Sequence, residues 1–289
     1  MHITRRLARF ARRSPYDRAV TLRSYLGSFS WTVPRFGSDR TAYVIGLFGS
    51  GRLYVNGLLL KNIGKRRKYF RDLIRCHEGP TSMIYSGHAT IKHVSRAQAP
   101  PEVTSQVLDG VKSGFADLIF VTRHPFDSLL TNWIWWRRYL QEDWWVSGIS
   151  EVFKNNDEFS TELDRNFCEF EDFASGDPHF FRAAPAPHFL SFAQFVEETE
   201  LFLEVATLTL RLEDFMTDPV KEFSKIVQVM SVDLDGPLPL LPLPNTKPNR
   251  YLGVQADVPQ FRKFIDRVDD QTKKRMEKIG YRIEAGRVF

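Results

Sequence analysis

Three short stretches of this sequence carry residues able to hold an anion and move a proton. The first is Gly49-Ser50-Gly51-Arg52, which follows the apolar run Thr41-Ala42-Tyr43-Val44-Ile45-Gly46-Leu47-Phe48. A glycine turn at the carboxyl end of a buried strand, opening a helix, presents backbone N–H groups and the positive end of the helix dipole. That combination favours an oxyanion such as phosphate. Gly46-x-x-x-x-Gly51-Arg52-Leu53 also comes close to the loop of nucleotide triphosphatases. Arg52 stands where that loop has Lys, and Leu53 where it has a Ser or Thr on Mg²⁺. A phosphate loop needing no metal fits these residues, and so does a plain turn closing a strand onto a helix.

The second stretch is Arg123-His124-Pro125-Phe126-Asp127-Ser128-Leu129-Leu130-Thr131. It puts a cation at a strand end and a hydroxyl eight residues on, in the following helix. Arg123 offers a planar fork for a phosphate and Thr131 an O–H donor. The alternative is Arg123 paired with Asp127, with Thr131 bonded within its own helix. The third is His88, closing the segment Thr81-Ser82-Met83-Ile84-Tyr85-Ser86-Gly87. A neutral imidazole can take a proton from an attacking hydroxyl near pH 7. His77, Glu78 and His93 are competing bases nearby.

The elements that must position these residues follow from pattern. Thr41–Phe48, Thr81–Ser86, Asp117–Thr122 and Glu204–Arg211 read as buried strands. Arg52–Lys61, the segment after Pro125, the segment after Pro219 and roughly Pro259–Lys278 carry apolar residues at helical spacing. Alternation of the two predicts a P-loop-like, doubly wound α/β fold: a mostly parallel sheet flanked by helices. Residues 144–186 are aromatic and acidic and predict a helical insertion or lid over the active-site edge. Residues 1–40 read as a basic arm and 41–289 as a single domain.

The 289 residues include 24 Phe, nine Tyr and six Trp, ample for a core, and two cysteines, Cys76 and Cys168. A disulfide scaffold and a cysteine-rich zinc site are excluded. Net charge is +5, with Arg5, Arg6, Arg9, Arg12, Arg13, Arg18 and Arg23 crowding the start. Such an arm either contacts anionic lipid or a polyanionic acceptor, or is simply solvated. No stretch is apolar enough to span a bilayer or to form the core of a secretory signal, so a cytoplasmic protein is expected, peripheral at the inner membrane face through its arm. Nucleic acid is not an expected partner.

At this point the chain resembles the PAPS-dependent sulfotransferases, of the bacterial carbohydrate-modifying kind. Phe48-Gly49-Ser50-Gly51-Arg52 is similar to the family's loop for the 5′-phosphosulfate, commonly of Pro-Lys-Ser-Gly-Thr type. Ser86-Gly87-His88 looks like its second strand ending in the general base. Arg123 to Thr131 is similar to its Arg-x-Pro-x-Asp-x-x-x-Ser motif for the 3′-phosphate, with Thr for Ser. Leu212-Glu213-Asp214-Phe215 before Asp218-Pro219, and Met276 to Tyr281, match further family segments. Asn249-Arg250-Tyr251-Leu252-Gly253 is the candidate for a basic loop on the 3′-phosphate. The resemblance covers about residues 41–135 and 205–281.

One departure matters. The family's Lys or Arg aligns with Gly49, so Arg52 is expected to take over part of its cationic role, with Lys92 or Lys61 as helpers. The resemblance implies PAPS as donor substrate, no metal, and sulfuryl transfer by in-line displacement with His88 as base. The donor would be held by Gly49, Ser50, Gly51, Arg52, Leu53, Arg123, Thr131, Arg250 and Gly253. A glycan or glycolipid acceptor, such as a lipopolysaccharide precursor, is expected, with a small lipid or phenol as the alternative; Trp133, Trp135, Trp136, Tyr139, Trp144 and Trp145 either stack on its sugar rings or pack an aromatic-rich helix. The alternatives are a P-loop kinase-like phosphotransferase, against which Leu53 speaks, and a non-catalytic nucleotide- or polyanion-binding module.

Overall fold

The computed structural model describes residues 41–62, 70–72, 84–93, 99, 101–139, 161, 163–177, 190–230, 259–281, 283–284 and 287–288. The basic arm, most of the 144–186 segment, Arg250, Gly253, His77, Glu78, Trp144 and Trp145 lie outside them.

In chain order the elements are β1 (Thr41–Gly46), α1 (Arg52–Asn62), β2 (Phe70–Asp72), β3 (Ile84–Gly87), α2 (Pro101–Lys112), β4 (Ala116–Thr122) and α3 (Pro125–Tyr139). They continue with α4 (Phe167–Ser175), α5 (Phe192–Val205), β5 (Leu208–Arg211), α6 (Leu212–Thr217), α7 (Pro219–Val229), α8 (Pro259–Arg267), α9 (Asp270–Lys278), β6 (Ile283–Glu284) and β7 (Arg287–Val288). The sheet has five strands in the order β2-β3-β1-β4-β5, and every pair in it is parallel. β6 and β7 form a separate antiparallel pair.

Burial explains the strand sequences. Every residue of β4 is buried, as befits a strand covered on both faces, where apolar runs replace alternation. One sheet face packs Val44, Ile119, Val121 and Leu210 against Val55, Leu58 and Leu59 of α1 and Phe223 and Ile226 of α7. The other packs Ile45, Leu118 and Phe120 against Val103 and Val107 of α2 and Phe195 and Phe202 of α5. The doubly wound α/β expectation therefore holds. A third, all-helical cluster gathers α3, α4, α8 and α9 around Trp133, Phe170, Phe264 and Met276.

Several boundaries differ: β1 stops at Gly46, short of Phe48, and β3 runs on to Gly87. Glu204 and Val205 end α5 instead of starting β5; that helix is set by a capping box, Gln194 N donating to Ser191 Oγ at 3.3 Å and Ser191 N to Gln194 Oε1 at 3.0 Å. The closing helix is two helices, because Asp269 caps α9, its Oδ1 accepting from Thr272 N at 2.9 Å. β2, α2, α5, α6 and the β6–β7 pair were not expected from the sequence. Among the described residues, no helix is long and apolar enough to cross a membrane.

Candidate functional site

Strand register brings the candidate residues to one edge. Ile45 pairs with Gly87 and Gly46 with Val121, so β1, β3 and β4 end level with one another. From β1 the chain winds toward β2 and β3, then crosses to β4 and β5 on the other side. The carboxyl ends of β1 and β4 thus flank the topological switch point, where open α/β sheets hold ligands.

The loop after β1 is shaped by its glycines. Gly49 and Gly51 have φ of 87° and 84°, a region that disfavours side chains. A Cβ on Gly49 would lie 2.7 Å from Ser128 O and 2.9 Å from Asn132 Oδ1, both on α3. Helix α3 therefore occupies the space a side chain at position 49 would need. Ser50 N donates to Leu47 O at 3.0 Å and Tyr54 N to Gly51 O at 2.9 Å, launching α1. No acidic residue sits in the first turn of α1, so its dipole meets an incoming anion without opposition. Ser50 is 1% exposed, and its hydroxyl has no hydrogen-bond partner among the described residues. Leu53 lies in the first turn of α1.

Arg52 and His88 face each other. Arg52 is 8% exposed. Its Nη1 donates to Ser86 Oγ at 2.5 Å and its Nη2 to His88 Nε2 at 3.2 Å. His88 Nδ1 lies 2.9 Å from Gly46 O. A carbonyl only accepts and a guanidinium only donates, so Nδ1 carries the proton and Nε2 the lone pair. Burial first, and then the charge of Arg52, push the His88 pKa down to about 3. Asn56, one turn beyond Arg52 on α1, donates its amide to the same Ser86 hydroxyl.

Across the switch point, Arg123 and Thr131 touch each other, and both make the contacts of the alternative reading, Arg123 toward Asp127 and Thr131 within its own helix. Arg123 is 4% exposed, and its Nη1 donates to Thr131 Oγ1 at 3.2 Å. The Thr131 hydroxyl gives its own proton to Asp127 O at 2.7 Å, so here it orients the arginine. Arg123 Nη2 stands 3.7 Å from Asp127 Oδ2, an ion pair too long for a hydrogen bond. Arg123 Nε and Nη2 and both Asp127 carboxylate oxygens are buried without hydrogen-bond partners among the described residues. Burial raises the Asp127 pKa to about 7, opposed by Arg123 and aided by Glu213. Glu213 Oε1 accepts from His124 N at 2.7 Å and braces the strand end.

Other candidates separate from this edge. His93 bonds Glu197 Oε2 at 2.6 Å and Lys92 Nζ bonds Glu197 Oε1 at 2.8 Å, so Lys92 is committed to a surface cluster on α5. Trp133 is fully buried, donating Nε1–H to Glu169 Oε1 at 2.9 Å, and Trp136 packs on Phe173. Those two rings serve the helical core, which is the packing reading and not the sugar-stacking one. The side chains of Lys61, Trp135 and Tyr139 lie outside the described set. Ser86 and Asn56 were missed, although the alternation of β3 already sets Ser86 on the face of His88, and helical spacing sets Asn56 beneath Arg52.

Comparison with known proteins adds little to this geometry. No family model matches the chain, and no curated protein matches it. Among solved structures that match is the crystal structure of mouse sulfotransferase SULT7A1 complexed with PAP. It is similar over 89% of this chain and 86% of its own, at 13% identity and a TM-score of 0.43. A likeness that distant assigns no residue and no activity to this chain.

Proposed function

We propose that this chain is a sulfotransferase that moves a sulfuryl group from PAPS to a hydroxyl, with a glycan or glycolipid as acceptor. The observation that carries the reading is the convergence at one sheet edge of two buried arginines with different surroundings. Arg52 lies beside a histidine and Arg123 has part of its fork without a hydrogen-bond partner among the described residues. A donor with a 5′-phosphosulfate and a 3′-phosphate has two anionic groups for two such sites. The residues fit it: Arg123 Nε and Nη2 and the Ser50 hydroxyl are donors that a phosphate would satisfy.

In this reading the loop amides at Gly49 and Gly51, the Ser50 hydroxyl and the guanidinium of Arg52 stabilise charge on the departing phosphate oxygen. His88 Nε2 accepts the proton of the attacking hydroxyl. The new S–O bond to the acceptor forms as the S–O bond to phosphate breaks, and the electron pair stays with the phosphate. Arg123, oriented by Thr131, holds the 3′-phosphate and so sets the donor's register. Leu53, Arg250 and Gly253 complete the donor contacts. The protein would work in the cytoplasm, its basic arm on an anionic membrane surface.

Calorimetry with 3′-phosphoadenosine-5′-phosphate (PAP) tests the reading. Binding without Mg²⁺ is expected; no binding, with ATP–Mg²⁺ bound instead, overturns it in favour of a kinase-like enzyme. His88→Ala should lower turnover by about 10²- to 10⁴-fold with PAP affinity unchanged. Unchanged turnover would point to a binding module.

A further inference from the structure

The Arg52–His88 contact has a consequence for the order of events. Nε2 of His88 holds one lone pair, and Arg52 Nη2 donates into it at 3.2 Å. While that bond stands, the same lone pair cannot receive the proton of an acceptor hydroxyl. Base catalysis by His88 therefore requires Arg52 to move.

We propose that Arg52 is a latch on His88. Ser86, itself fixed by Asn56, parks the guanidinium against the ring, and the phosphosulfate of a bound donor draws it off. The proposal rests on the donor reading and adds a coupling to it: proton abstraction becomes available only once the donor is in place.

The residues support each half. For parking, Ser86 Oγ accepts from Arg52 Nη1 on one side and from the Asn56 amide on the other, which aims Nη2 at the ring. The Gly46 carbonyl holds the far edge of the imidazole at 2.9 Å, so His88 cannot turn away. For release, Ser86 and His88 offer the guanidinium neutral groups, a hydroxyl and an imidazole. A guanidinium bonds an oxyanion more strongly than either. Arg52 is the first residue of α1, directly after the glycine loop, and needs only a side-chain rotation to exchange partners. Among the described residues, Arg52 is the charged group acting on His88. Its other neighbours are the Gly46 and Leu47 carbonyls and the Phe48 ring, 5.1 Å away. Burial and Arg52 together keep His88 unprotonated, so removing Arg52 from the ring must raise its affinity for protons.

Nitrogen-15 NMR of the histidine rings in the full chain tests this, with His88 assigned by the signal missing in His88→Asn. Without nucleotide, the Nε2 resonance should be that of a lone-pair nitrogen accepting a hydrogen bond, with no protonation down to about pH 4. Saturating PAP should move it toward an unbonded nitrogen and raise the titration midpoint by at least about one pH unit. Ser86→Ala should produce part of that movement without PAP. If PAP binds by calorimetry while the His88 signals and midpoint stay put, the latch is wrong and the donor reading stands. If PAP does not bind, both fall. Should Ser86→Ala fail to fold by circular dichroism, the wild-type titration decides alone.

Discussion

Asp127 and Glu198 are both carboxylates fully removed from solvent, and their surroundings are opposite. Glu198, on α5, accepts three consecutive backbone N–H groups, from Ile91 at 2.6 Å, Lys92 at 2.7 Å and His93 at 2.5 Å. It ties the loop that follows His88 to the helix beneath the sheet. Among the described residues, Asp127, at the start of α3, has no hydrogen bond on either oxygen and only the long pair to Arg123. A buried polar group without partners is costly, and native proteins tolerate it mainly where function uses it. The saturated carboxylate is structural. The unsaturated one lies next to an arginine with spare donors, the donors that the proposed function assigns to a phosphate.

The largest effect should come from removing the saturated partner. Glu198→Ala leaves three backbone donors without their acceptor and should lower unfolding stability by about 3–4 kcal/mol in urea melts, with Glu198→Gln recovering part. A loss under about 1 kcal/mol would break the contrast, since the clamp would then contribute no more than an exposed ion pair. Next, Arg123→Ala should weaken PAP binding about 10- to 100-fold by calorimetry, because the crevice loses the fork that meets the phosphate. Unaltered affinity would mean that its spare donors serve no ligand.

The smallest effect is a pH dependence of Asp127. Its folded pKa, about 7, lies above its ordinary value of 3.8. The folded state therefore binds more protons than the unfolded state between those pH values, and stability falls as pH rises through that window. The slope from this one group is at most about 1.4 kcal/mol per pH unit. Asp127→Asn should flatten that part of the stability profile in chemical melts at several pH values. An unchanged profile would mean that the carboxyl is not strained by its burial.

The wider contrast separates the sheet edge from the helical layer. At the edge, short-range signals in the sequence sufficed. Glycines at 49 and 51, an arginine before a proline and a histidine after an apolar run each follow from backbone geometry at a strand end. In the helical layer, Trp133 and Trp136 carry the same residue type whether they pack a core or face a sugar. Only the partners Phe170, Phe173 and Glu169, more than thirty positions away, decide between the two. The break at Asp269 was hidden for a different reason. A capping residue inside a long periodic pattern reads the same as an exposed acid on a continuous helix.

The sequence by itself determined the alternation of strands and helices, the loop that opens α1 and the placing of Arg123 and Thr131 at one strand end and the helix after it. Those depend on spacing within one element or across one turn. The tertiary structure decided what lies across elements. It placed α3 against Gly49, in the space a side chain there would need, and it joined Arg52 of α1 to His88 beyond β3 through Ser86. These contacts join residues 34 to 83 positions apart and depend on strand order and register, which no local pattern encodes.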